Sequence, residues 1–374
     1  MIRVGFCTYV LNKGMRNSTL DGIGQYTKAL QKHLQSPPLD HEIALVPFTY
    51  GASPVDTIGL GQHALSTVWS SVSGQNFWGT QTLQRNVDII HATDHHIPRC
   101  APTPVVATVM DVIPLSHPEW VRDDFRTLKN ALWKKSLHWA DRVITISEYS
   151  KSEIVKWTDV TADQISVIPL GVDADWFLRR SENEISRLRA HYQLPAEYFI
   201  ALGTLQPRKN IESTILAHRS LPQAERLQTP LIIVGRAGWK CDALIKLIDQ
   251  EPLPGAVRWL NRVPDQDIPA LLQSACALVF PSLTEGFGLP VLEAFASHVP
   301  VIAGRTSCLP EVAGDAAMMV EPRDVDEIAM AMRRVHDDLT LRHQLKHLGL
   351  QRAQQFTWDA CARSTAEIYR NLAQ

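Results

Sequence analysis

The 374-residue chain has little that would tie it to a membrane span, a disulfide frame or a nucleic acid. No run of about 18 apolar residues occurs, so no segment reads as a spanning helix. The six cysteines (Cys7, Cys100, Cys241, Cys276, Cys308 and Cys361) are scattered with no C-x-x-C. That argues for reduced thiols in a cytosolic protein, and against a disulfide framework or a zinc site. The formal net charge is only −2, which leaves no global electrostatic case for nucleic acid. The opening IRVGFCTYV is too short and too weakly flanked for a secretion signal and reads as a first strand. Acids at metal-ligand spacing are also scarce. Asp173/Asp175 and Asp324/Asp326 form Asp-x-Asp triplets, but neither has a His or further acid at ligand spacing. Asp324 precedes a helix-like run and reads as its N-cap; Asp173 sits in a turn after a strand. No metal and no cofactor is expected.

What is present is a soluble globular composition, 45% hydrophobic and 20% charged, long for one core and comfortable for two domains. Apolar strand-like runs alternate with helix-like ones. VGFCTYV, EIALVPF, DIIHAT, VVATVMD, RVITIS and ISVIPL are the strand candidates of the first half. YFIALGT, LIIVG, VRWL, CALVFP and VPVIAG are those of the second. Such alternation means βαβ units and mostly parallel sheets, whose strands read as apolar runs because helices cover both faces. The more charged, helix-patterned segment from Ala174 to Tyr198 looks like a connector. The fold class is α/β.

The segment with most chemistry is PSLTEGFGLPVLEAFASHVPVIAG, Pro281 to Gly304. It reads as the end of a buried strand, a glycine-broken loop, a helix and a second strand. Gly286 and Gly288 bracket Phe287, so the backbone before the helix can approach a ligand closely. Pro290 suits the first turn of a helix. Free amides at a helix N-terminus bind anions, which places Gly286, Phe287, Gly288 and Leu289 as diphosphate candidates. Two acids frame this site, Glu285 in the loop and Glu293 one turn into the helix. Acids beside an anion site need other partners, and sugar or ribose hydroxyls suit them. Upstream, YFIALGTLQPRKN (Tyr198 to Asn210) ends a strand at Gly203 and Thr204 and then supplies Arg208 and Lys209, a fork and a point charge for a diphosphate.

With these residues in view the chain resembles the retaining, nucleotide-sugar-dependent glycosyltransferases of the GT-B fold, family 4. The paired acids of that family match Glu285 and Glu293, and its basic pair matches Arg208 and Lys209. GIGQYTKAL, ADRVITISEYSK, VIPLGVD, IIVGRAGW and SCLPEVAGDAA extend the resemblance over nearly the whole chain. It implies two facing Rossmann-like domains with an interdomain cleft. Residues 1–175 would bind the acceptor and 176–357 the nucleotide sugar, while 358–374 would be a helix crossing back to the first domain. It implies that Glu293 takes the ribose hydroxyls, that Glu285 orients the sugar and polarises the transition state, and that the base lies near Val263 and Pro264. Gly22 and Gly24 would form a loop closing over the diphosphate. The partners implied are a nucleotide-sugar donor and a saccharide or lipid-linked acceptor. The Gly-Thr-x-x-Pro-Arg-Lys-Asn form of the basic segment resembles mannosyltransferases that use GDP-mannose in surface polysaccharide synthesis. UDP-sugar transfer, an epimerase or phosphorylase on the same fold, and a non-catalytic sugar-nucleotide-binding subunit are the alternatives.

One position departs from the family. Where many relatives carry a His before the Asp at a strand end, this chain has Met110 before Asp111, which leaves Asp111 as the acceptor-side catalytic candidate. His95, His96 or His117 could stand in for that imidazole, and His91, Asp94, His95 and His96 of HATDHHIP could line the cleft. From Trp120 to Trp157, Arg122, Arg126, Lys129, Lys134 and Lys135 lie among Trp133 and Trp139, with Asp123 and Asp124 diluting the charge. This basic, aromatic stretch is compatible with peripheral contact at the inner face of the membrane.

Overall fold

The computed structural model describes every residue except 17–19, 52, 122–124 and 374. Arg122, Asp123 and Asp124 of the basic stretch therefore lie outside the described residues. The chain forms two units: Met1–Pro118 with Arg122–Gly171 and Thr357–Gln374, and Val172–Phe356 with Glu119–Val121.

In the first unit seven strands, β1 (Ile2–Cys7), β2 (Ile43–Tyr50), β3 (Ile58–Leu60), β4 (Ile89–Ala92), β5 (Val105–Thr108), β6 (Arg142–Thr145) and β7 (Ile165–Val167), form one sheet. Its order is β3-β2-β1-β4-β5-β6-β7, and each pairing is parallel. The second unit holds β8 (Phe199–Leu202), β9 (Leu231–Val234), β10 (Val257–Leu260), β11 (Ala277–Phe280), β12 (Val301–Gly304) and β13 (Met318–Val320). These run in the order β10-β9-β8-β11-β12-β13, again all parallel. Every residue of β4, β5, β8, β9, β11 and β12 is buried, as strands covered on both faces require.

The strand order reverses once in each sheet, between β1 and β4 and between β8 and β11. Connections leave those neighbours toward opposite faces, and the crevice between their carboxyl ends is where such sheets hold ligands. Two runs expected as longer strands stop early. β1 ends at Cys7 and a helix begins at Tyr9, after Thr8 N has made a ladder bond to Phe48 O at 2.9 Å. β5 ends at Thr108, so Met110 and Asp111 stand beyond the sheet edge.

The C-terminal helix Trp358–Leu372 packs into the first unit. Its Tyr369 hydroxyl lies 2.6 Å from His91 Nδ1, His91 Nε2 lies 2.8 Å from Thr108 Oγ1, and that hydroxyl lies 2.9 Å from Tyr26 Oη. All four side chains are buried. Burial pushes the His91 pKa down to about 3, so its imidazole is a neutral joint of the core and not a cleft residue. Close approach fixes Gly171, where a Cβ would stand 2.2 Å from Trp358 N. Gly22 and Gly24 occupy the first turn of the helix Gly22–Leu34, which corrects their expected place in a loop. Asp21 caps that helix, accepting from Gly24 N at 2.8 Å.

Candidate functional site

The carboxyl ends of β8 and β11, at the reversal of the second sheet, bring the sequence-nominated charges together. After β8, Gly203 (φ +131) turns the chain, and a short 3-10 turn Pro207–Lys209 presents the basic pair. After β11 the loop from Pro281 delivers Glu285. Arg208 Nη1 donates to Glu285 Oε2 at 2.6 Å, and Lys209 Nζ donates to Glu285 Oε1 at 2.6 Å. One carboxylate thus bridges two cations. Burial and the neighbouring guanidinium lower the Lys209 pKa more than Glu285 raises it. Burial works against ionising Glu285 too, but the charges of Lys209 and Arg208 hold it below the ordinary glutamate value. The ammonium also sits 4.7 Å from the centre of the Phe280 ring, a favourable cation–π placement.

The loops carrying this triad are braced from behind. Arg208 Nη1 reaches Thr284 O at 3.2 Å, and Leu283 N donates to Arg208 O at 2.8 Å. Asn210, left-handed at φ +54, donates to the carbonyls of Pro281 and Pro322. Ser307 Oγ accepts from Glu285 N at 3.1 Å, and Cys308 Sγ donates to Glu285 O at 3.2 Å. Such supports restrict the geometry of the charged groups. Asn210, Ser307 and Cys308 were not assigned a role from the sequence, although the two motifs that contain them were noticed.

Gly288 (φ +93) ends the loop as N-cap of the helix Leu289–Ala296. A Cβ there would lie 2.7 Å from Leu309 Cδ2, so the position needs glycine for both conformation and space. Phe287 turns inward, its ring edge-on to Phe356 at 5.8 Å. It anchors the loop, and only its backbone is left to meet a ligand. Glu293, one turn along, makes no side-chain hydrogen bond or ion pair with the described residues. Burial, then the charge of Asp173, raise its pKa to about 7 against an opposing pull from Lys209, with a lesser push from Asp265. Asp265 belongs to the turn after β10, the stretch that also carries Val263, and acts on this carboxyl only through its charge. Asp173, noted from the sequence only as part of an Asp-x-Asp triplet, and Asp265, which no motif signalled, are further neighbours of this carboxyl.

The remaining nominated residues lie in the first unit. Asp111 Oδ1 accepts from Ile113 N at 3.0 Å and so organises the short helix Ile113–Ser116. Met110 O accepts from Ser150 Oγ at 2.9 Å. At the β1/β4 reversal, Asp94 Oδ1 accepts from His96 N at 2.6 Å and lies 2.9 Å from His96 Nδ1. Ligand atoms of Asp94, His95 and His96 lie within 4.8 Å of one another, the grouping among the described residues that could share a cation. The expected N-cap role of Asp324 holds, with Oδ1 accepting from Glu327 N at 2.9 Å. Asp175 instead pairs with Arg180.

Comparison with known proteins agrees with this geometry. Residues 187–352 match the family model described as glycosyl transferases group 1, and residues 20–176 match that of glycosyltransferase family 4. The O-antigen chain mannosyltransferase B of Escherichia coli is 35% identical over 286 residues, covering 76% of this chain and 74% of that protein. The O-antigen chain mannosyltransferase RfbU of Salmonella typhimurium is 30% identical over 67% of this chain and 65% of its own length. Among solved structures, sucrose-phosphate synthase from Thermosynechococcus elongatus superposes with a TM-score of 0.76 at 20% identity, covering 100% of this chain and 99% of its own. WaaG, a glycosyltransferase involved in lipopolysaccharide biosynthesis, gives 0.71 at 14% identity, over 98% of this chain and 99% of its own. The chain is a glycosyltransferase of family 4 (group 1), with the GT-B fold.

Proposed function

We propose that the protein is a retaining, metal-independent mannosyltransferase that moves mannose from GDP-mannose to a saccharide or lipid-linked glycan acceptor. The observation that carries the donor half is the Arg208–Glu285–Lys209 cluster at the β8/β11 reversal, beside the N-terminus of the 289–296 helix. When the glycosidic bond to the donor phosphate breaks, negative charge grows on the leaving diphosphate. Two fixed cations and the amides of Gly286 to Leu289 stabilise that charge without reorganising, which is the task a divalent ion would otherwise perform. Glu293, with unfilled acceptor sites, takes the ribose hydroxyls, and the backbone near Val263 meets the base. Glu285 orients the basic pair and lies next to the departing sugar. Asp111 is the acceptor-side group of the first unit. Mannose as the sugar is supported by the names of the similar proteins, both O-antigen mannosyltransferases.

The test is a thermal-shift panel of GDP, UDP and dTDP with their sugars, followed by turnover of the donor that binds. A shift with GDP and GDP-mannose, lost in Lys209→Ala, is expected. A shift with UDP compounds alone would remove the mannose assignment, and conversion of donor to an isomer without acceptor would identify an epimerase. Binding with no turnover on any acceptor would leave a nucleotide-sugar-binding subunit.

A further inference from the structure

The helix His63–Ser73 in the first unit is built inside out. Its buried residues are Ser66, Thr67 and Ser70, while Leu65, Val68, Trp69 and Val72, spaced i, i+3, i+4 and i+7, face outward. Val72 is 85% exposed and Trp69 44%. Trp78, 49% exposed, stacks on Trp69 with ring centres 6.0 Å apart and planes 29° from parallel. Ser66 Oγ and Ser70 Oγ are buried with no hydrogen-bond partner among the described residues. Water outside would favour the opposite arrangement, with hydroxyls exposed and the apolar stripe inward. From Gly61 to Gln84 the chain carries no Asp, Glu, Lys or Arg.

A neighbouring helix supplies the charge that this one lacks. Arg126–Leu137 carries Arg126, Lys129, Lys134 and Lys135 and no acid. Its Lys135 Nζ donates to Ser71 O at 2.7 Å, which seats the cationic helix against the inverted one. Leu128 is exposed on the same helix, seven positions from Lys135 and so on one stripe with it. Trp133 and Trp139, the aromatics that the sequence placed at a membrane, pack instead against the core of the first unit.

We propose that this face, the outward stripe of the 63–73 helix with Trp78 and the lysines of the 126–137 helix, docks on the surface of a bilayer rich in anionic phospholipid. Indole rings prefer the boundary between headgroups and acyl chains, aliphatic side chains bury just below it, and lysines meet phosphate above. A protein partner would match the apolar stripe alone; the acid-free cationic flank matches a continuous anionic surface. The inference is independent of the donor assignment, because its residues lie in the other unit.

The experiment is co-sedimentation of the full chain with vesicles of phosphatidylglycerol and phosphatidylcholine, against vesicles of phosphatidylcholine alone. Binding to the anionic vesicles only, weakening as salt rises, is expected. Val72→Asp and Lys129→Glu should each reduce partitioning about tenfold or more, with Tm and the nucleotide-induced shift unchanged. Quenching of tryptophan emission by brominated lipid should fall in Trp69→Phe/Trp78→Phe. Wild-type protein that ignores anionic vesicles, or variants that bind as the wild type does, would overturn the proposal. A concentration-dependent dimer in sedimentation velocity, abolished by Val72→Asp, would assign the face to a second copy of the chain instead.

Discussion

Glu293→Gln separates the cost of the candidate ribose acid from its use. In the empty protein this carboxyl has a pKa of about 7, raised chiefly by burial and then by Asp173 and Asp265. Its ordinary value is 4.5, so the folded state resists ionising it. Below the unfolded value both states hold the proton and folding carries no penalty. As pH rises from the unfolded to the folded pKa, the unfolded chain ionises while the native carboxyl does not, and stability is lost. Above pH 7 the loss is complete, at roughly 1.4 kcal/mol per pKa unit, or about 3 kcal/mol as a ceiling before solvent screening. Glutamine keeps the shape and cannot ionise. Glu293→Gln should therefore raise the Tm of the nucleotide-free protein at pH 8 by several degrees (about 2–4 °C per kcal/mol for a domain of this size). Near pH 5 the gain should fall to about a quarter of its pH 8 value. The same variant should weaken nucleotide affinity about tenfold or more at pH 8, where on the proposed ribose assignment the wild-type carboxylate would accept two hydroxyl hydrogen bonds. Differential scanning fluorimetry at both pH values, with and without nucleotide, reads both effects. A Tm gain equal at pH 5 and pH 8, or a loss at pH 8, would refute the argument from burial. Unchanged affinity would refute the ribose assignment.

Three further outcomes follow from the geometry. Glu285→Gln leaves Arg208 and Lys209 buried without their shared anion, so the empty protein should lose about 3 kcal/mol or more of stability. If the diphosphate binds at this cluster as proposed, it replaces the missing charge, so the nucleotide-induced Tm shift should grow while turnover falls at least a hundredfold. Gly288→Ala should lower Tm by the equivalent of about 1–3 kcal/mol from left-handed strain and raise the KM for donor, since its Cβ would press on Leu309 and displace the loop. Donor turnover should survive excess EDTA in the assay; full loss restored by a divalent cation would remove the metal-independent mechanism.

Much of the second unit was legible because its signals are local. ALVF and LIIV are short apolar runs whose burial on both faces leaves no alternation to misread, and Arg208, Lys209 and Glu285 each follow a strand directly. Where the meaning of a residue depends on what faces it, the sequence was silent. Asp265 bears on Glu293 only through its charge, which no motif records. Strands β3 and β13 were missed, each three residues long at a sheet edge, whereas the equally short edge strand β7 registered because it opens the longer apolar run ISVIPL. His91 looked like a cleft residue because it closes a strand, but Tyr369, 278 positions away, claims its imidazole. In the 63–73 helix, periodicity gives a stripe without saying which side is out, and the usual assumption puts Leu65 and Trp69 inside.

The triad also gives a carboxylate a reason to stand in the proposed diphosphate site. Arg208 and Lys209 side by side and buried would repel each other, and in the empty protein the cheaper response would be a deprotonated lysine, the direction in which burial already pulls it. Glu285 counters that pull while leaving the cluster with a net positive charge. Its two oxygens are each committed to one cation at 2.6 Å, so the arrangement is set before the donor arrives. On the proposed assignment, the diphosphate of a bound nucleotide sugar would add to a formed array and need not assemble one. Stabilisation of the leaving group then costs little reorganisation. Replacing Glu285 by a neutral residue should on this reasoning tighten nucleotide binding and slow transfer. Glu285→Gln should show a lower KM for donor together with a larger fall in kcat, whereas a merely structural role would raise KM or leave the ratio unchanged.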